Sequence, residues 1–507
     1  MNTLTASSAY APQQPAAAAQ GSDSHLILAL LPSWTEIVIA VLAVVIYGLA
    51  AAYEELLGLA NYAVPVVLSA AAACGVWIMI QRSINTIWTM LFWFRVALIS
   101  FFGVGSLVPL VINESTLDLV QSFFLFFPQD VLKYNAVIAI FYLLVLLMCR
   151  VMIGTAITYA SRRAGLAARP HAIGLSNFSL KTIGIVFLAV GISINYLLIY
   201  PNALGMIDAP PIGIVAQASQ ASLIGYFMIT YWSLVNKSRW IYVVFVFAAI
   251  DSFMGLIQLT KFMTLFPWVM IGIGFIYHKA SLYRIGVIMV LLVPAYFMLA
   301  PMIAYGRNVL YSPGGSGGGL TETVSALMSY DSEAAKYERY GDVQNGWARL
   351  SYVNAGTFAI DQYDKGLPGN SLRHIFVVLI PRLIYPNKPI ITDVSRDFTF
   401  LANGNWNSSS SPGIPAEAYW TAGWIGVGIF SLLFSLVMTG WSIYSLFALQ
   451  RQAWHLFFVV LLGMRVGTRL DGMLVADIIG PVGIAIVAHI ILQLMNRFLP
   501  RRFLLDK

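Results

Sequence analysis

Residues 135–154 read NAVIAIFYLLVLLMCRVMIG, a mostly apolar run of about the 20 residues that an α-helix needs to cross roughly 30 Å of hydrocarbon. Unpaired backbone polar groups are costly in lipid and a helix satisfies its own, so such a run reads as a membrane span. Working outward from it, further stretches of the same character lie near 36–53, 62–80, 86–112, 181–200, 213–235, 240–257, 261–278, 283–304, 416–447, 453–467 and 473–497. The expected fold is an all-α polytopic membrane protein with about twelve transmembrane helices. The third and tenth runs are long and expected to tilt, and the eleventh is short.

Composition points the same way. Of the 507 residues, 59% are hydrophobic and 10% charged, and the mean hydropathy is +0.78, which excludes a soluble domain with a charged surface. The formal charge of +7 raises nucleic acid as a partner. The Lys and Arg residues fall in short clusters between apolar runs, however, not on one basic stripe, so no nucleic acid is expected. Cys74 and Cys149 both lie in apolar segments and read as buried, inert thiols.

Positive charge orients the spans. Alternate loops carry Arg82, then Arg162, Arg163 and Arg169, then Lys237 and Arg239, then Lys279 and Arg284, then Arg451, then Arg497, Arg501, Arg502 and Lys507. These fall on one side, which the positive-inside rule makes cytoplasmic, so both termini are expected there. Residues 1–34, which open on MNTLTASSAYAPQQPAAAAQGSDS with no Lys or Arg, lack the regions of a signal peptide and are expected to be a disordered cytoplasmic tail. The remaining organisation is a transmembrane bundle over 35–304, a large outward loop over 305–415, closing spans over 416–497 and a basic cytoplasmic tail over 498–507.

The large loop holds the candidate chemistry. Its SPGGSGGG stretch at 312–319 is a linker or a hinge. Beyond it, 331–362 is expected to form one or two helices at the membrane surface. There Arg349, between Trp347 and Tyr352, is placed to grip a phosphate with a bidentate fork, or else is a surface arginine paired with Asp342 or Asp361. The segment LRHIFVVLIPRLIYPNKP, 372–389, has an apolar core too short to span and three prolines, so it should dip into the membrane or pack on the bundle and then turn. This puts Arg382 and Lys388 at the membrane surface, to balance charge on a leaving pyrophosphate or to anchor by snorkelling. His374, the lone histidine of the loop, is structural or an assisting base. Glu417 and Tyr419 open the next span, with Glu417 either a helix-capping carboxylate or the partner or general base of a sugar hydroxyl. In RVGTRLD, 465–471, Arg465, Arg469 and Asp471 are ionisable groups in or near apolar segments, which pair with each other or line a polar cavity.

With its many spans, its single large late loop, and locally its IPRLIYPNKP and PGIPAEAYWTAGWIGVG segments, the chain resembles the O-antigen and exopolysaccharide repeat-unit polymerases of the Wzy type. The resemblance implies a membrane-embedded, inverting, metal-independent glycosyltransferase in the bacterial inner membrane, with a periplasmic loop and no cofactor. Its substrates would be polyprenyl-pyrophosphate-linked glycans, and a chain-length regulator and a flippase would be its partners beside the membrane lipids. Arg349, Arg382 and Lys388 would bind or neutralise pyrophosphate with Arg465 and Arg469 in support, Glu417 would orient or deprotonate the acceptor hydroxyl, and Tyr419 joins the glycan-binding candidates. The absence of a DxD motif agrees with a metal-free site. The rival readings are an O-antigen ligase, which shares the architecture but passes the glycan to lipid A core or to protein, and a lipid-linked-oligosaccharide flippase or other transporter. Few ionisable residues lie clearly within spans, Arg95 and Asp251 among them, which disfavours transport.

Overall fold

The computed structural model describes residues 26–498 apart from 112–127, 165–176, 205, 208–214, 216–217, 280, 312–319, 331–349, 381–384, 386–387, 390–392, 405, 407–408 and 452. All regular structure among the described residues is helical. The chain opens with α1 (Trp34–Ala52), α2 (Leu57–Arg82) and α3 (Met90–Ala97), the last continuing through a π-helical turn, Leu98–Val104, into α4 (Gly105–Val111). Then come α5 (Pro128–Ala164) and α6 (Asn177–Ile194), with a second π-helical turn, Asn195–Ile199, leading to α7 (Tyr200–Ala203). Next are α8 (Ala221–Val235), α9 (Trp240–Ile257), α10 (Lys261–His278) and α11 (Leu282–Tyr311). The segment between this bundle and the closing helices carries α12 (Leu320–Met328), α13 (Val353–Asp364), short 3-10 turns at Ser371–His374 and Val377–Leu379, and α14 (Asp393–Asn403). The closing part has α15 (Ile414–Gln450), α16 (Phe457–Gly467), a π-helical turn at Leu474–Ile479 and α17 (Gly480–Phe498).

Every apolar run read from the sequence thus carries a helix among its described residues. Among the described residues nine helices are long and apolar enough to cross a membrane, while Ala221–Val235 and Trp454–Gly467 are shorter apolar helices. The 18-residue α10 has polar ends in Lys261 and His278, which dilute it. The protein is a helical, multi-span membrane protein.

The helices pack as two adjoining layers. In the first, α15 lies along α5, with α1, α2 and α3 around them; Phe94, Phe141, Tyr142, Phe430 and Phe434 fill its core. In the second, α8 packs against α6 and α10, with α9 and α11 outside. Trp88, Phe227 and Phe457 join the layers, with Trp88 4.7 Å from Phe227 and 4.8 Å from Phe457 between ring centroids, edge-on geometry that aromatic rings favour.

Three buried ionisable side chains, Glu36, Arg95 and Asp251, sit inside this frame, and all have partners. Ser33 caps α1 by accepting from Glu36 N at 3.0 Å, which seats Glu36 in the first turn with its side chain inward. Arg95 on α3 meets it as a fork, Nε to Oε1 at 2.6 Å and Nη2 to Oε2 at 3.0 Å, and Tyr142 OH donates to Oε1 at 2.7 Å. A bidentate arginine–carboxylate pair of this kind satisfies both charges in a medium that would otherwise penalise them heavily. Gly75 leaves the room: a Cβ there would overlap Glu36 Oε1 and Arg95 Nε. Asp251 on α9 accepts from Tyr200 OH at 2.8 Å and from Tyr226 OH at 2.6 Å. The π-helical turn at Asn195–Ile199 directly precedes Tyr200. Cys74 and Cys149 are both free thiols, Cys149 fully buried.

Candidate functional site

The candidate residues gather at the end of the bundle that bears α13 and α14, here the loop end. The start of α15 is its centre. Gly413 has φ +83°, a conformation that glycine adopts without a Cβ penalty. Its N–H donates to Ser411 Oγ at 3.1 Å, and that hydroxyl donates to Gly472 O at 2.7 Å, so the turn is sewn to the residues before α17. Pro415 follows in the first turn, where its missing N–H costs nothing. Glu417 then falls in the first turn, favoured by the positive helix end, and its side chain is fully buried.

The carboxylate has a defined task there. The first N–H groups of a helix lack intrahelical partners, and two acids supply them at the turn that begins the last helix: Leu474 N donates to Glu417 Oε2 at 2.7 Å, and Met473 N donates to Asp477 Oδ2 at 2.9 Å. The Ser371 hydroxyl lies near the Glu417 carboxyl, whose Oε1 makes no hydrogen bond among the described residues.

Arg465, at the end of α16, donates through Nη1 to Gln220 Oε1 at 2.6 Å and stacks over the Phe262 ring at 4.6 Å. It is close enough to Arg469 and Asp477 to feel both charges. Arg469 is exposed and forms no ion pair among the described residues. The alternative of a direct Arg469–Asp471 ion pair is replaced by a different contact: Asp471 Oδ2 accepts from Tyr352 OH at 3.0 Å, and Arg469 acts on Asp471 only through space. Burial raises the Asp471 carboxyl above the usual aspartate range, the Arg469 charge and the Tyr352 hydrogen bond opposing it. Tyr352 is held in turn by Phe101 and Phe102, at 5.6 and 6.3 Å between centroids, on the π-helical turn after α3. Gly105 lets the backbone at Leu350 approach that turn, since a Cβ would collide with Leu350 O.

The other candidates are placed differently. Lys388 is buried, and its Nζ donates to Val378 O at 2.6 Å and Ile380 O at 3.0 Å. Its ammonium closes the turn of its own segment, which packs through Val378 and Leu379 onto Gly480 and Gly483 of α17. His374 accepts through Nε2 from Arg373 Nε at 3.1 Å, and Arg373 pairs with Asp397 at 2.7 Å. Tyr419 is two residues from Glu417, about 200° around the helix, and faces another polar contact: its OH donates to Asp364 Oδ1 at 3.1 Å, Lys133 pairs with Asp364, and the Lys133 ammonium lies 4.9 Å from the Tyr419 ring centroid. Arg349 and Arg382 lie outside the described residues.

The structure therefore brings Glu417, Arg465 and Arg469 to one junction, with Asp471, Asp477, Tyr352 and Ser371, and sets Tyr419, His374 and Lys388 around its margin in contacts of their own. Asp477 was missed in the sequence, although an ionisable residue in an apolar closing segment is a signal that marks such sites; Gln220 and Ser371 carry no such signal. No three His, Cys, Asp or Glu side chains converge as a metal site among the described residues. No family model matches the chain, and no curated protein or solved structure matches it either.

Proposed function

We propose that the protein is a polysaccharide polymerase that joins polyprenyl-pyrophosphate-linked oligosaccharide repeat units into O-antigen or exopolysaccharide at the periplasmic face of a bacterial inner membrane. The observation that carries this reading is that a buried carboxyl, Glu417, and the arginine pair Arg465 and Arg469 are linked through Asp477, within electrostatic reach of both Glu417 and Arg465, at the end of the bundle where the long loop packs. In the transfer, the acceptor hydroxyl oxygen bonds to the anomeric carbon of the donor glycan with inversion. The bond from that carbon to the pyrophosphate oxygen breaks, the electron pair stays on the pyrophosphate, and the hydroxyl proton passes to a base. Arg465, Arg469 and Arg382 are assigned to the pyrophosphate, where fixed positive charge stabilises what develops as it leaves. Glu417 is assigned to the acceptor hydroxyl. The segregated Lys and Arg clusters support an orientation with the loop outward.

The test is gel analysis of surface and secreted polysaccharide from cells lacking this gene, complemented with wild type or with Arg382→Ala. The reading expects the polymer ladder to vanish while single repeat units remain, with rescue by wild type and none by Arg382→Ala expressed at the same level. Ladders that persist on the lipid carrier without reaching their final acceptor would make the protein a ligase. Unchanged glycans would point to transport instead.

A further inference from the structure

At the opposite end of the bundle a groove of about 770 Å³ opens on the flank of α5, between it and the start of α1. Trp34 and Arg150 form its head and Leu147 and Val151 part of its wall. Arg150 is fixed on two sides: Nη1 donates to the Pro32 carbonyl, and the guanidinium lies 4.0 Å from the Trp34 ring centroid. It keeps further N–H donors at Nε and Nη2. Trp34 is 63% exposed and Val151 67%, so neither is covered by the described protein. No Asp or Glu lines the groove, and the nearby Glu36 is buried and spent on Arg95. Arg82 adds a second cation close enough to feel Arg150.

Depth decides the occupant. Lys133 marks the loop end of α5 through its pair with Asp364. Arg150 is about 25 Å along the helix from it and Tyr159 about 39 Å, so the groove straddles the boundary of a roughly 30 Å hydrocarbon layer. By the same rise Leu147 lies at acyl-chain depth, Arg150 and Val151 with Trp34 at the boundary, the usual level for an interfacial tryptophan, and Thr155 and Thr158 beyond it among the headgroups. The Thr155 and Thr158 hydroxyls donate to Met152 O at 2.8 Å and Gly154 O at 2.9 Å, which leaves their lone pairs to accept from a hydroxyl-bearing headgroup.

We propose that this groove binds an anionic phospholipid of the phosphatidylglycerol type, its phosphate on Arg150, its headgroup hydroxyls toward Thr155 and Thr158, and one acyl chain along Leu147 and Val151. The full-length protein purified in detergent is titrated with phosphatidylglycerol or phosphatidylcholine and read by native mass spectrometry. Two variants are compared with wild type. Arg150→Gln removes the charge, and Gly154→Leu fills the groove at a position where a Cβ meets nothing within 4 Å and where helix propensity improves. The expected result is tighter binding of phosphatidylglycerol than of phosphatidylcholine, weakened roughly tenfold in Arg150→Gln by loss of a charge-assisted contact and likewise weakened in a folded Gly154→Leu. Equal binding of the two lipids by wild type, or undiminished phosphatidylglycerol binding in Gly154→Leu, overturns the proposal. If Arg150→Gln does not fold, the Gly154→Leu result decides alone.

Discussion

Leu474 N donates a 2.7 Å hydrogen bond to Glu417 Oε2 across 57 residues of chain, tying the first turn of α15 to the turn that begins the last helix. A carboxyl that holds two helix starts together and is assigned to the acceptor hydroxyl has both a structural and a chemical task, and substitutions separate them. Glu417→Ala leaves the buried Leu474 N–H unpaired, at a cost of about 1–3 kcal/mol. Glu417→Gln keeps an acceptor for that N–H and loses the carboxyl that can exchange a proton. Thermal unfolding in detergent is expected to show a clear drop for Ala and a smaller one for Gln, while both lose the polymer ladder in cells. A Gln variant with wild-type ladders would leave Glu417 a structural residue only.

The Glu36–Arg95 pair is fully buried, so removing one partner strands the other. Arg95→Met alone is expected to cost roughly 3–5 kcal/mol, read as loss of folded protein after detergent extraction. The triple variant Glu36→Leu, Arg95→Met, Tyr142→Phe leaves no unpaired group and should recover most of that loss. A triple variant no better than the single one would mean that the pair is needed for more than mutual compensation.

At the kink of α15, Gly423 has φ 58° and ψ −142°, and a Cβ there would sit 2.9 Å from the Tyr363 ring. Backbone strain of this kind costs about 1–3 kcal/mol for any residue with a side chain. Gly423→Ala should therefore lower the unfolding temperature and shift Tyr363 against Tyr419, its ring neighbour at 5.3 Å. An unchanged unfolding temperature would contradict this account of the kink.

Asp471 supplies a pH dependence. Its folded carboxyl titrates above the usual aspartate value because of burial, so its contribution to stability is fully present below the unfolded value, near pH 4, and is lost as pH rises through the folded value. Asp471→Asn, which resembles the protonated acid, should gain stability relative to wild type at pH 7, and the gain should shrink as pH falls toward 4. Parallel unfolding curves for the two proteins over that range would rule the argument out.

The bundle was legible because lipid imposes one rule on every span, and apolar runs such as 240–257 and 261–278 match α9 and α10 end for end. The interruptions were not. The π-helical turns at Leu98–Val104 and Asn195–Ile199 sit in apolar stretches whose composition is the same whether the ladder slips or not. Arg95 stood out as a charge in a span, yet its partner Glu36 reads from sequence as a helix-start acid. Arg465 finds Gln220 from 245 residues away. Lys388 shows the converse limit, since a lysine among prolines reads as a surface cation until the fold brings the Val378 and Ile380 carbonyls to it.

The central claim is that the junction at the start of α15 performs glycan transfer, and the most direct test uses the purified full-length protein in liposomes with a polyprenyl-pyrophosphate-linked repeat unit as both donor and acceptor. Wild type is expected to build a ladder and release polyprenyl pyrophosphate. Arg465→Ala and Arg469→Ala, checked to retain their unfolding temperatures, are expected to slow it at least tenfold, about the effect of losing one charge-assisted contact to the leaving group. No polymer from wild type, or ladders from both variants equal to those of wild type, would contradict the account.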